Sequence, residues 1–347
     1  MNTEVPFKIS VSDEKIALLK AKLDTVTFPD ELGDAGWAYG VPLADIKRLV
    51  ARWQNGFDWR AQERLINELP QFTRDIEVDG FGCLNIHYVH QKSQTVDAIP
   101  LLFVHGWPGS FLEVHKILPL LTATSQDHPS FHVVAISLPG YAFSEGPKNK
   151  GFAIAQYAEV GNKLMLALRY NEYVTQGGDW GHFVTHKIAS VYGGKHSKAW
   201  HTNFGFATPP HPLWTPFRFL AFLITPYTPA EKAGMKRAIE WRKDGRGYFE
   251  IQSTRPQTIG YSLADSPVGL LSWIYEKLVT WTDEYPFTDD EVLTWVSIYW
   301  FSRAGPAASC RIYYESQKTN ILGDTAVPTI PKGISFFPKE LANLPRA

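Results

Sequence analysis

Two cysteines and three methionines in 347 residues leave little room for sulfur chemistry. Cys83 and Cys310 could form one bridge at most, and nothing in their spacing pairs them. A disulfide-built fold is therefore excluded, and a reducing compartment is expected. Histidine and cysteine spacings fit no zinc template, and neither a phosphate-cradling loop nor a dinucleotide fingerprint occurs, so no cofactor or metal is expected. A surplus of one charge sign is also missing. With 34 basic against 35 acidic residues the net charge is -1, which gives no pull toward nucleic acid or an anionic membrane. No stretch of about 18 apolar residues runs uninterrupted, and the longest patch, Phe217 to Ile224, contains Arg218. The first ten residues lack a basic region followed by an apolar run. These absences point to a soluble cytoplasmic protein without a membrane anchor.

The composition that remains, 44% hydrophobic and 20% charged, is that of a globular chain. Its length allows one large α/β core with additions. Ser12 followed by Asp13 and Glu14 predicts a capped first helix. Trp37, Tyr39, Leu43, Ile46, Leu49, Val50 and Trp53 fall near helical spacing. Alternation over Asp75–Asp79 and Leu84–Val89 around Gly80-Phe81-Gly82 predicts a hairpin. From Pro100 onward, short apolar runs (Leu101–Val104, His132–Ile136, Glu172–Gln176) alternate with turns and helical segments, the pattern of a mostly parallel sheet covered on both faces. The texture changes after Thr208–Pro212. Residues 213 to about 300 are helix-like and rich in aromatics, as an insertion capping a site would be, and Val327–Phe337 returns to a strand and its turn. The expected division is an extension over 1–95, a core over 96–212 and 301–347, and a helical cap over 213–300.

Positions 177 to 181 read Gly177-Gly178-Asp179-Trp180-Gly181. The pattern Gly-x-nucleophile-x-Gly belongs to a sharp strand-to-helix turn that lifts one side chain above the sheet. Small neighbours are required because the strained backbone leaves no room for a Cβ. A carboxylate in that place can attack an electrophilic carbon and form an ester, which is covalent alkyl transfer followed by hydrolysis.

His105-Gly106-Trp107-Pro108-Gly109-Ser110 lies between a strand and a helix. Together with the Asp179 elbow it resembles the epoxide hydrolases of the α/β-hydrolase superfamily, most closely the microsomal-type branch with an N-terminal extension, which includes soluble fungal members. Trp37–Gly40, Phe57–Arg60 and Pro70–Phe72 resemble that extension, whereas Gly247–Gln252, Thr254–Gln257 and Asp265–Val268 resemble the cap. The resemblance implies an α/β-hydrolase fold and an apolar epoxide and water as reactants. It also implies a site: Asp179 as nucleophile, the backbone N–H groups of Trp107 and Trp180 as the oxyanion hole, and two tyrosine acids. Tyr248 matches one of these in Gly-Tyr-x-x-Ile-Gln. Tyr313 matches the other in Arg-x-Tyr-x-Glu, with its neighbour Tyr314 as competitor. Glu340 matches the acid that orients the family's histidine.

One departure carries consequences. The family's base is a histidine in a Gly-Gly-His-Phe type segment beyond the acid, and the sequence ends at Ala347, seven residues past Glu340. The expectation is a sheet without its last strand and helix, and an edge near Val327–Phe336 prone to self-association. An alkylation half-reaction would survive with slow or stalled hydrolysis. His105 reads as structural, His182 and His186 as leading away from the pocket, His87 and His90 as hairpin residues, and His196, His201 and His211 as loop or strand residues. Two other readings stay open: a relative that binds apolar ligands or partners without catalysis, and, with less support, a haloalkane dehalogenase.

Overall fold

The computed structural model describes residues 4–205, 210, 212–319 and 326–340. Among the described residues eight strands form one sheet: β1 (Val5–Pro6), β2 (Gln71–Val78), β3 (Gly82–Gln91), β4 (Ile99–Val104), β5 (Phe131–Ile136), β6 (Tyr173–Gly177), β7 (Ser197–Thr202) and β8 (Lys332–Ile334). Their order is β1-β2-β3-β5-β4-β6-β7-β8. The β2–β3 hairpin and its β1 neighbour are antiparallel, β3 joins β5 antiparallel, and every pairing from β5 through β8 is parallel. The predicted hairpin and the three predicted parallel strands are all present.

The extension begins with α1 (Asp13–Asp24), where the Ser12 hydroxyl accepts from the Lys15 N–H as the sequence predicts. Next come α2 (Leu43–Asn55), whose Ile46, Leu49, Val50 and Trp53 are buried, and α3 (Trp59–Ile66). Trp37 and Tyr39 do not share that helix. They lie in a separate 3-10 turn that Gly40, at φ 110°, and Pro42 divide from α2, and both rings are exposed.

Within the core, α4 (Leu118–Thr122) packs on β5, and α5 (Ile154–Ala167) and α6 (Trp180–Tyr192) pack on each other and on the sheet. After β7 come α7 (Pro216–Ile224), α8 (Pro229–Asp244), α9 (Gly247–Thr254), α10 (Pro256–Asp265), α11 (Pro267–Thr280), α12 (Asp289–Trp300) and α13 (Arg311–Lys318), where the sequence predicts a helical cap. Prolines open α7, α8, α10 and α11, where the missing N–H costs nothing. No helix among the described residues is long and apolar enough to cross a membrane.

The late strand falls within the expected span and is three residues long, because Pro328 and Pro331 precede it and Pro338 follows. One expectation needs correction. The sheet is not closed on both faces among the described residues. Alternate side chains Leu101 and Phe103, Val174 and Gln176, and Ala199 and His201 line an open cavity of about 1020 Å³ that runs to the C-terminal ends of the strands.

Candidate active site

Asp179 occupies the turn between β6 and α6 at φ 49° and ψ -127°, a strained conformation for a residue with a Cβ. The neighbouring sequence makes this turn possible. A Cβ on Gly177 would strike the Gly181 carbonyl, one on Gly178 the Asn203 amide, and one on Gly181 the Val104 carbonyl. The side chain thus stands at the N-terminus of α6, where the helix dipole favours a negative charge.

Asp179 Oδ1 accepts the Trp180 N–H at 2.6 Å and the Trp107 N–H at 2.8 Å. Trp107 is aimed by its loop. Gly106 lies so close that a Cβ would collide with the Asp179 carboxylate. Helix α12 pins the next carbonyls, with Trp295 Nε1 donating to Pro108 O at 2.5 Å and the Tyr299 hydroxyl to Gly109 O at 2.6 Å. His105 is structural, as its sequence context suggests. Its Nδ1 lies 2.9 Å from the Gly106 carbonyl and must carry the proton, while Nε2 accepts the Leu138 N–H. Burial pushes this ring down to about 4, so it is neutral. Burial pushes the Asp179 carboxyl up to about 6, against the two N–H groups, and the charge of Glu340 adds to the rise.

Tyr248 comes from α9 and Tyr313 from α13, and the structure brings both to the elbow. The Tyr248 ring stacks on Trp107 with centroids 5.4 Å apart and planes 7° apart. Tyr313 meets Trp180 edge-on at 4.8 Å and Trp107 at 5.6 Å. The two phenols are neighbours, with centroids 5.9 Å apart. Burial raises both, and the nearby Asp179 charge adds to it, so each keeps its proton at neutral pH. The Tyr313 hydroxyl is buried and makes no hydrogen bond to a described residue. Tyr314 is turned elsewhere, with the Lys318 ammonium over its ring.

Asp179 lines the large cavity together with Trp107, Glu113, Lys277 and Trp281, whereas Tyr248 and Tyr313 are outside the lining, in the aromatic cluster beside Trp107. Glu340 follows β8, is half-buried and lines an adjoining cavity. Among the described histidines only His201 lines the cavity of Asp179, and its Nε2 is 2.9 Å from Ser335 Oγ. His182 bonds Thr202, His87 bonds Ser137 and Gln71, and His90 bonds Glu4 and Tyr170. His211 lies outside the described residues.

Two cavity residues were not singled out in the sequence. Glu113 sits on the turn that follows the Trp107 loop. Lys277 is only 3% exposed, pairs with Glu276 at 2.7 Å, and places its ammonium 4.9 Å from the Tyr248 ring centre and 5.7 Å from that of Trp281. Burial lowers it from the usual lysine range. A signal existed for Lys277, because it falls on the same helical stripe as Leu270, Leu271, Ile274 and Leu278.

Residues 4–114 match the epoxide hydrolase N-terminus family and residues 99–215 the α/β-hydrolase fold family. The chain is 38% identical over 350 residues to a protein of Stigmatella aurantiaca, with 98% of this chain and 75% of that one covered. It is 34% identical to epoxide hydrolase 1 of Sus scrofa, covering 98% and 79%. Among solved structures, the Aspergillus niger epoxide hydrolase superposes with a TM-score of 0.84 at 34% identity, covering 99% of this chain and 86% of that one. Identity of this level over nearly the whole length, on the same fold, shows that the chain belongs to the epoxide hydrolase family of α/β hydrolases.

Proposed function

We propose that this epoxide hydrolase converts an apolar epoxide to a vicinal diol through an ester on Asp179. The observation that carries the reading is the state of that carboxylate. One oxygen is held by two N–H groups, which leaves Oδ2, engaged by no described residue, to attack a ring carbon. Attack forms the Oδ2–carbon bond and breaks the carbon–oxygen bond of the epoxide. The departing alkoxide takes a proton from Tyr248 or Tyr313, which remain protonated at working pH. When water later adds to the ester carbon, negative charge develops on Oδ1, where the Trp107 and Trp180 N–H groups already point. The apolar wall of Leu101, Phe103, Val174 and Phe287 suits an apolar substrate. The free thiols, Cys83 exposed and Cys310 buried, support a cytoplasmic setting.

Intact-mass analysis during incubation with an aryl epoxide tests the reading. The expected result is a mass gain of one epoxide, followed by diol release, with both lost in Asp179→Asn. An adduct that persists in Asp179→Asn, or an unmodified protein that releases no diol, contradicts it.

A further inference from the structure

Helix α11 carries a charge into the protein interior. Lys277 is 3% exposed and lines the cavity of Asp179, and its ammonium sits over three aromatic rings. The ring centres lie 4.9 Å away for Tyr248, 5.6 Å for Trp273 and 5.7 Å for Trp281. Its anionic partner is Glu276 at 2.7 Å, the residue before it on the same helix. Such a pair joins no two elements of the fold, so holding the cap together does not account for it. Burying an ammonium among rings is costly, and charges kept at that cost gather at functional sites.

Tyr248 is the ring that matters chemically. It stacks on Trp107, whose N–H holds the Asp179 carboxylate, and Trp281 packs on it with centroids 5.0 Å apart. The second phenol, Tyr313, meets Trp107, Trp180, Tyr248 and Phe249, and among the described residues no cation lies over its ring. Other charges reach Tyr248 as well. Asp179 is neutralised as its ester forms. Arg246 and Glu276 have side chains 34% and 31% exposed, so solvent screens both.

Resting on the reading of Asp179 as the alkylated residue, we propose that Lys277 is a positioning residue that makes Tyr248, and not Tyr313, the proton donor of ring opening. As Asp179 Oδ2 bonds to the ring carbon, the carbon–oxygen bond of the epoxide breaks. The Tyr248 O–H proton passes to the departing oxygen. Negative charge is left on the phenol and spreads into the ring that the Lys277 ammonium faces. A cation is held by the electrons of a ring, so this contact strengthens as the ring gains charge and favours the transition state over the ground state. Hydrolysis returns the proton: of the two on the attacking water, one goes to the diol oxygen and the other to Tyr248.

Rapid-quench mass spectrometry of Asp179 labelling by an aryl epoxide, read across a double-mutant cycle, tests this. Lys277→Met keeps most of the side chain without its charge and should slow labelling about 10- to 30-fold. In a Tyr248→Phe background the same change should alter the rate by less than about twofold, because no phenolate forms for the cation to stabilise. In a Tyr313→Phe background the full loss should persist. Lys277→Gln repeats the comparison with a neutral polar side chain, and Lys277→Arg, which restores a cation, should recover most of the rate. A wild-type rate in Lys277→Met overturns the assignment. An equal loss with and without the Tyr248 hydroxyl also overturns it, since Lys277 would then act on substrate or packing. So does a loss in Lys277→Arg as large as in Lys277→Met. Failure of the wild type to label Asp179 would instead sink the ester reading itself.

Discussion

Asp179 combines backbone strain, a helix N-terminus and two N–H donors on one oxygen, so its chemistry depends on neighbours that cannot grow by a single carbon. Gly181→Ala would drive a Cβ into the Val104 carbonyl, which is backbone and cannot swing aside. A loss of about 2–4 kcal/mol is expected in denaturant titrations, together with loss of labelling, and an unperturbed variant would contradict the geometry. The carboxyl attacks only when ionised, and its burial holds it up to about 6. Alkylation should therefore be full above that pH and fall about tenfold per unit below it. A decline starting only near the ordinary carboxylate range (about 4) would show that burial does not act as described. The double variant Tyr248→Phe/Tyr313→Phe should lower the alkylation rate by about 10²- to 10⁴-fold while leaving Asp179 in place; a wild-type rate would remove the phenols from the reaction. At this scale the sequence was informative where backbone demands glycine, because Gly177, Gly178 and Gly181 mark the turn without any knowledge of the fold. Lys277 carried a signal in its helical stripe, but its place in a cavity built by segments far apart in the chain was not legible.

Helices α2 and α3 pack against α11 and α12, and α12 holds the loop that aims Trp107. Trp59 is buried with its ring 5.0 Å from Phe301, and its Nε1 faces Glu63. Arg52 makes a two-pronged ion pair with Asp290 at 2.8 and 2.9 Å at the start of α12, the helix whose Trp295 and Tyr299 hold the loop. Trp59→Ala should cost about 3–5 kcal/mol in chemical unfolding and loosen the loop with it. A loss below about 1 kcal/mol would mean that the extension is packed independently of the cap. Elements with one strong period, such as α2 and the β2–β3 hairpin, were readable from pattern alone. Trp37 and Tyr39 misled because helical spacing continued across Gly40 and Pro42, where the backbone cannot. Strand β8 is short for a similar reason: prolines on both sides limit the ladder.

The whole molecule is a mostly parallel sheet with one face open to the cavity and, among the described residues, β8 as its outer strand. Val327, Ile334, Phe336 and Phe337 are exposed around that strand. The alternation of strand and helix made the sheet legible in the sequence, but the open face was not, since the strands themselves are apolar on both sides whether covered or bare.

The most direct test of a covalent Asp179 ester is one turnover in ¹⁸O-labelled water, followed by peptide mapping and analysis of the diol. Attack of water on the ester carbon predicts ¹⁸O in the Asp179 carboxylate and none in the first diol released. Label in that diol, with Asp179 unlabelled, would mean that water opens the epoxide directly and that the carboxylate never bonds to carbon.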